Sequence, residues 1–184
     1  PGDITLSLRS ANRYLSNTYE KIGEFVLDEK LAGLLGFFTA DGNYLFESME
    51  SSKFYGLPKG LEFTFRGNDS YLKNRIKRLI KHVLGCSVKE KKDQRYNTIY
   101  LYVYSSDIAR IFYNAGFRKY GRLPQVIFNS PPSVIRSFLK YFLSGEEYRK
   151  NGEIRINDKE LSRDLTILFS MIGVPVCYKE KKNS

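Results

Sequence analysis

The sequence predicts an α+β protein made of two related halves, each running helix, β-hairpin, helix and strand. Three features support this prediction: an internal repeat, a strongly apolar helix ahead of each repeat, and strand segments in which apolar and polar residues alternate. The 184 residues suffice for one well-filled core, or for two small lobes that share a core. We therefore expect a single domain that needs no disulfide.

The internal repeat is clearest in two predicted helices, which begin behind the capping residues Asp69 and Asp158. Each cap is followed by the apolar stripe of a half-buried helix, and cap and stripe recur together at an offset of 89 residues. The first stripe is Leu72, Ile76, Leu79, Ile80 and Val83, and the second is Leu161, Leu165, Leu168, Phe169 and Ile172. The segments that follow, 84–88 and 172–176, match at an offset of 88.

A strongly apolar helix is predicted upstream of each repeat. The first runs from Glu29 to Ala40 behind the capping Asp28, and the second runs from Val134 to Ser144 behind a start signal at Pro131-Pro132. The first is apolar around its whole circumference, which predicts a helix buried between other elements.

Small residues recur every four positions along the first apolar helix, which predicts close contact with another helix. A glycine inside a helix costs ~1 kcal/mol relative to alanine, so a packing reason for it is expected. The small residues are Ala32, Gly36 and Ala40, and the matching positions of the second helix hold Ser137, Tyr141 and Gly145. Tyr141 replaces Gly36 and is expected to hinder that contact.

The remaining elements of the first half follow from turn signals and alternation. A hairpin is predicted over about Asn43 to Ser48 and Leu61 to Arg66, joined by a polar segment that includes Pro58. A strand from Thr98 to Tyr104 and a helix from about Ser106 to Ala115 complete this half. The second half has a shorter hairpin and no counterpart of these last two elements.

Composition limits the functional classes. The chain carries 30 Lys and Arg against 20 Asp and Glu, a net charge of +10, which is typical of a polyanion binder although many basic domains bind none. Cys86, Cys177 and the single histidine, His82, do not form a zinc motif. Because no apolar stretch is long enough to cross a membrane, we expect an intracellular, cytoplasmic protein with no membrane partner.

An acidic residue follows each apolar helix directly, Asp41 in the first half and Glu146 in the second. If the two helices pair, these carboxylates converge and repel one another unless a cation lies between them. Such a pair predicts a hard divalent metal bound by oxygen, with Mg²⁺ as the first choice. The alternative is that Asp41 is an ordinary turn residue and Glu146 a solvated residue at a helix end.

These segments resemble the LAGLIDADG homing endonucleases, particularly the dodecapeptide type carried inside inteins. The nonapeptide Leu34 to Gly42, LLGFFTADG, is similar to the signature of that family, and Phe138 to Glu147 resembles a worn second copy. Gly121 to Asn129 resembles the segment ahead of the second signature. The resemblance divides the chain into an intein-like lead-in at 1–27, a first half at 28–120 and a shortened second half at 121–184.

The resemblance implies two pseudo-symmetric αββαββ-type halves, with the signature helices packed centrally and antiparallel sheets forming a DNA-binding saddle. It implies a monomer that cuts double-stranded DNA at a long, specific site by metal-dependent phosphodiester hydrolysis. The metal, Mg²⁺ or in its place Mn²⁺ or Ca²⁺, would be held by Asp41 and Glu146 with the backbone carbonyls of Ala40 and Gly145. The family commonly has a lysine where this chain has Gly121, so Lys119 or Arg122 is expected to act as the basic catalytic residue.

The DNA-contacting surface is predicted from strand parity, because one face of each strand packs on helices and the other is free. Residues expected to face DNA from the strands are Glu62, Thr64, Arg66, Ser87, Lys89, Lys91, Thr98, Tyr100, Tyr102, Glu153, Arg155 and Asn157. Residues expected in hairpin turns, against phosphates, are Lys53, Lys59, Lys91, Lys92 and Arg95. Four cations of the following helix, Lys73, Lys77, Arg78 and Lys81, are expected to be solvated.

Two other functions fit parts of this pattern. One is a LAGLIDADG-like protein that has lost cleavage and acts as a DNA-binding regulator or an RNA maturase. The other is a basic RNA-associated α/β domain, which fits the charge but does not explain the repeat. The retention of both carboxylates favours the enzyme.

Overall fold

The computed structural model of the chain describes residues 5–6, 25–48, 54–67, 69–145, 154 and 156–176. The elements in chain order are β1 (Thr5–Leu6), β2 (Phe25–Val26), α1 (Glu29–Asp41), β3 (Gly42–Phe46), β4 (Pro58–Arg66), α2 (Ser70–Leu79), a π-helical turn (Ile80–Leu84), β5 (Lys89–Asp93), β6 (Thr98–Val103), α3 (Ser106–Asn114), α4 (Gln125–Phe128), α5 (Pro132–Gly145) and α6 (Lys159–Met171).

The helices begin where the sequence predicts, because the expected side chains cap them. Asp28 accepts hydrogen bonds from two backbone N–H groups of the first turn of α1, and Ser105 accepts one at the start of α3. Asp69 and Asp158 each accept from the backbone N–H three residues ahead, so the caps of α2 and α6 are equivalent in hydrogen bonding as well as in sequence. The four-residue helix α4 is not among the predicted elements.

Four of the strands form one antiparallel sheet in the order β3-β4-β6-β5, and β1 pairs with β2 separately. Strand β4 begins at Pro58 rather than at Leu61, so the predicted polar connection is shorter than expected. Proline is tolerated there because the first residue of a strand need not donate a ladder hydrogen bond. The described strands confirm the predicted α+β class with an antiparallel sheet.

One face of this sheet packs on helices and contributes to the core. Its buried residues are Leu61, Phe63, Phe65, Ile99, Leu101 and Val103. All ten residues of α1 from Leu31 to Ala40 are buried, which confirms that this helix lies inside the protein. Leu27 is also buried and Phe25 packs on the core, so the end of the predicted lead-in contributes to the core.

The π-helical turn explains the change in repeat offset from 89 to 88 residues. Helix α2 with this turn ends at Gly85, and helix α6 ends at Gly173, both glycines having positive φ (64° and 77°). The segment from cap to glycine is one residue longer in the first half. A π turn holds one residue more than an α turn, so the extra residue is accommodated without disturbing either end.

The predicted second-half hairpin falls largely outside the described residues. Glu153 and Arg155 are among those not described, and Ile154 forms an isolated bridge. Asn157 lies in an exposed loop ahead of α6 rather than in a strand.

Candidate metal and nucleic-acid site

The site begins with the close packing of α1 against α5. A Cβ built on Gly36 would overlap the Phe138 carbonyl, and one on Gly145 would lie 2.7 Å from the Cβ of Ala40. Only glycine permits these approaches, because any side chain would force the backbones apart. The two helices therefore run side by side and in the same direction, and their C-terminal ends meet.

Tyr141 does not prevent this contact, contrary to expectation. Its ring lies against Gly33, where a Cβ would be 2.7 Å from Cδ2, and the Arg75 guanidinium covers it at 4.7 Å from the ring centroid. Ser137 is at the interface as predicted, donating its hydroxyl to the Glu29 carbonyl at 2.5 Å. Gly33 was missed because it stands three residues before Gly36, outside the spacing of four used to find the interface.

Asp41 is the last residue of α1, where the two helix ends meet. Its side chain is 36% exposed, and Lys119 Nζ lies 3.7 Å from its Oδ1. Burial raises the pKa of the Asp41 carboxyl, and the nearby charges of Lys119 and Arg66 oppose that shift without cancelling it. The ionised carboxylate is therefore incompletely compensated, and an added cation would stabilise it further.

The donor groups at this point fit a hard divalent cation. Backbone carbonyls at a helix C-terminus lack intrahelical partners and carry the negative end of the helix dipole, and α1 and α5 bring two such ends together near Ala40 and Gly145. A carboxylate with carbonyl oxygens is the kind of ligand set that Mg²⁺ and Ca²⁺ take. The predicted second carboxylate, Glu146, lies outside the described residues. Across those that are described, three or more His, Cys, Asp or Glu side chains nowhere converge.

The loop that carries Lys119 is held by α6. Asp158 Oδ2 accepts from Gly121 N at 3.0 Å, and the buried Asp164 accepts from Leu123 N at 2.8 Å. Arg122, between these two anchors, has its Nε 3.9 Å from Glu160 of α6. Of the two basic residues predicted for the catalytic site, the structure brings Lys119 to Asp41.

The outer face of the sheet, the side away from the helices, is polar and follows the predicted parity. Thr64 pairs with Tyr100 and Glu62 with Tyr102, and on the next strand Lys91 and Lys89 stand beside the same two tyrosines. Residues of this outer face are Asn43, Glu62, Thr64, Arg66, Lys89, Lys91, Asp93, Thr98, Tyr100, Tyr102 and Tyr104.

Side chains on the outer face are ordered by contact with one another. The Tyr102 ring stacks on those of Tyr100 and Tyr104, with centroids 6.2 Å and 5.9 Å apart. Asn43 donates to Glu62 at 3.2 Å, and burial together with the Glu62 charge raises the pKa of the Tyr102 phenol. These contacts fix donors and acceptors on a surface that otherwise faces solvent.

Several predicted phosphate contacts need correction. Lys59, Lys91 and Lys92 lie within strands rather than in hairpin turns, whereas Arg95 does lie in the β5–β6 turn. Lys92 pairs with Ile99, so it projects to the helical side of the sheet and not to the outer face. Lys59 lies 3.8 Å from Glu47.

Two further residues were assigned to the DNA surface, Ser87 by strand parity and Lys53 as a hairpin-turn residue. Ser87 precedes β5 and is exposed in a loop, so strand parity does not apply to it. Lys53 lies outside the described residues.

Comparison with known proteins identifies the fold. No protein-family model matches the chain. A DNA polymerase of Methanocaldococcus jannaschii is 27% identical over 161 residues, a match that covers 85% of this chain and 9% of the polymerase. The chain thus spans less than a tenth of that relative.

Solved structures of the homing endonuclease I-DmoI share the fold. A variant bound to its nicked target DNA with manganese has a TM-score of 0.59 and 17% identity, covering 80% of this chain and 78% of that one. I-DmoI with DNA and calcium has a TM-score of 0.59 and 16% identity, covering 80% and 73%. A further structure, from a study of mesophilic variants of I-DmoI, has a TM-score of 0.59 and 16% identity and covers 80% and 78%. These matches agree with the predicted α+β fold.

No helix in the described part of the chain is both long and apolar enough to cross a membrane.

Proposed function

We propose that this protein is a homing endonuclease that binds double-stranded DNA at a long specific site and hydrolyses it with a divalent metal. The observation that carries the proposal is the convergence of two helix C-termini at Asp41, with Lys119 3.7 Å away, beside a sheet whose outer face is polar and basic. The shared fold supports it, since I-DmoI is described as a homing endonuclease and is solved with target DNA and with Mn, Ca or Mg.

The outer face of the sheet would lie in the major groove. Arg66 and the hydroxyls of Thr64, Tyr100 and Tyr102 would meet base edges, which differ for each base pair in that groove. Lys89, Lys91 and Arg95 would contact phosphates and fix the register of the sheet on the duplex. The net charge of +10 would add a sequence-independent attraction that falls with salt.

At the cleavage point Asp41 would hold the metal, with carbonyl oxygens of Ala40 and Gly145 and the carboxylate of Glu146. The bound ion would lower the pKa of a coordinated water and stabilise the charge that develops on the phosphate. Lys119, kept beside Asp41 by the loop that Asp158 and Asp164 anchor, would donate hydrogen bonds that orient the attacking water or neutralise the leaving oxygen.

Both signature helices belong to one chain and pack on each other, so we propose that the monomer is the active form. The match to a small part of an archaeal DNA polymerase supports an origin as the endonuclease segment of an intein in such a polymerase. A DNA substrate is consistent with action inside the cell.

The test uses the full chain and a duplex that carries an uninterrupted archaeal polymerase coding sequence across the insertion point. With Mg²⁺ we expect a break in both strands at one position, and with EDTA we expect none. A scrambled duplex of equal length and composition is the control. Steeply salt-dependent binding without cleavage in Mg²⁺ or Mn²⁺ would contradict the nuclease and favour the cleavage-deficient binding protein.

A further inference from the structure

A cleft with a strongly basic lining lies near the N-terminal end of α1, away from Asp41. Its volume is about 710 Å³, within the range of small-molecule sites. The lining residues are Lys30, Arg75, Arg78, Leu79, Lys81, His82 and Tyr141. None of them is acidic, and none belongs to the proposed DNA surface.

Among the described residues, no carboxylate lies within ion-pair distance of Lys30, Arg75, Arg78 or Lys81. Two other lysines of α2 do have an acidic partner, since Lys73 and Lys77 both bind Glu90 of β5, at 2.6 Å and 3.3 Å. Uncompensated like charges around a concave surface repel one another, and an anion would relieve that repulsion.

Two of these side chains are already oriented. The Arg75 guanidinium rests on the Tyr141 ring, 4.7 Å from its centroid, and is half-buried. Lys30 Nζ lies 2.8 Å from His82 Nε2 and, since an ammonium group only donates, the imidazole nitrogen accepts. Fixed donors lose less conformational freedom when they bind a ligand than free side chains do.

The repeat provides an internal comparison. The positions 89 residues after Arg75, Arg78 and Lys81 are not basic, being Asp164, Ile167 and Ser170. The π-helical turn that carries Lys81 and His82 holds the residue that the second half lacks. Such turns are rare and are frequent at functional sites. The basic lining contributed by α2 and the π-helical turn is therefore specific to the first half and is not part of the repeat.

We propose that this cleft binds the phosphate groups of an anionic ligand. Arginine is suited to phosphate because its planar donors match two oxygens at once, and lysine adds point charge. Lys30 is 11 residues from Asp41 along α1, a helical rise of roughly 16 Å. Helix α2 lies on the helical side of the sheet, so a duplex on the outer face does not reach the cleft.

Calorimetric titration of the full chain with inorganic tripolyphosphate tests this assignment. We expect saturable binding to one site, weakened at least about tenfold in a double variant, Arg78→Ala with Lys81→Ala. The matched control is Arg136→Ala with Lys140→Ala, which removes the same charge from two exposed positions of α5 that belong neither to the cleft lining nor to the proposed DNA surface, and it is expected to change affinity less than about twofold. Thermal unfolding of both variants checks that the fold is intact.

No saturable binding by the wild-type chain would overturn the proposal. Equal weakening by the two double variants would also overturn it, since that result reports net charge and not a site. Competition by ATP or by a short single-stranded oligonucleotide would identify a nucleotide or a phosphodiester backbone as the natural source of phosphate. Failure of both to compete, with tripolyphosphate still bound at the cleft, would identify free polyphosphate.

Discussion

Replacing Gly36 with alanine tests the close packing of α1 on α5. In an ordinary helix interior a change from glycine to alanine stabilises the helix by ~1 kcal/mol, because alanine is the better helix former. Here the added methyl would overlap the Phe138 carbonyl oxygen and lie 2.9 Å from its carbon. Ordinary carbon contacts are ~3.5 Å or longer. A backbone carbonyl cannot rotate aside, so the helices must separate.

Overpacking costs ~1–3 kcal/mol, and overlap with a backbone group that cannot move aside belongs to the upper part of that range, ~2–3 kcal/mol. After the helix gain of ~1 kcal/mol we therefore expect Gly36→Ala to be destabilised by about 1–2 kcal/mol. For a chain of this length that lowers Tm by about 2–8 °C, measured by circular dichroism at neutral pH. Gly33→Ala is the matched control, because its Cβ meets the Tyr141 ring and not a backbone atom, and we expect a smaller loss. A Gly36→Ala protein as stable as wild type would refute the close packing.

Three other predictions concern Asp41 and the loop beside it. Because burial raises the pKa of Asp41 in the folded chain, its ionisation opposes folding, so Asp41→Asn should raise Tm at pH 7. That gain should shrink as pH falls through the folded-state pKa and vanish below the ordinary pKa of aspartate; lower stability at pH 7 would contradict it. Asp164→Ala leaves the N–H of Leu123 without its acceptor and should cost ~1–3 kcal/mol in urea unfolding, whereas an unchanged midpoint would show that this hydrogen bond contributes nothing. Lys119→Gln should slow single-turnover cleavage about 100-fold or more, while Arg122→Gln changes it less than about threefold; equal losses would show that the 3.7 Å contact with Asp41 is not the relevant one.

Local signals in the sequence were sufficient to predict where the helices begin and which face of a strand is buried. The caps at Asp28, Asp69 and Asp158 depend on side chains that bind backbone groups two or three residues away, so sequence spacing alone locates them. The alternation around Ile99 and Leu101 likewise fixes the two faces of β6, because strand parity is set by the backbone.

Contacts between residues far apart in the sequence could not be predicted in this way. The bonds from Asp158 and Asp164 to the loop at 121–123 join residues 37 and 41 positions apart, and neither leaves a local pattern. The choice of Lys119 over Arg122 depends on that loop. The offset change from 89 to 88 did signal an extra residue, but a one-residue insertion is equally compatible with a longer loop or a bulge.

The sequence predicted that α1 packs closely on a second helix, but it did not identify every residue of that contact. A spacing of four pointed to Ala32, Gly36 and Ala40, of which Gly36 meets the Phe138 backbone and Ala40 meets Gly145, whereas it did not point to Gly33, which lies against the Tyr141 ring. The spacing along a helix face alternates between three and four residues, so a search restricted to four shifts part of the interface by one position.

We propose that Asp41 serves metal-dependent cleavage and not DNA recognition. One paired measurement tests this role most directly. Duplex affinity would be measured with Ca²⁺ by fluorescence anisotropy, and single-turnover cleavage with Mg²⁺, for wild type and Asp41→Asn. We expect cleavage to fall by a factor of about 100 or more while affinity changes less than about threefold. Cleavage by Asp41→Asn at the wild-type rate, or loss of binding in parallel with cleavage, would contradict the claim.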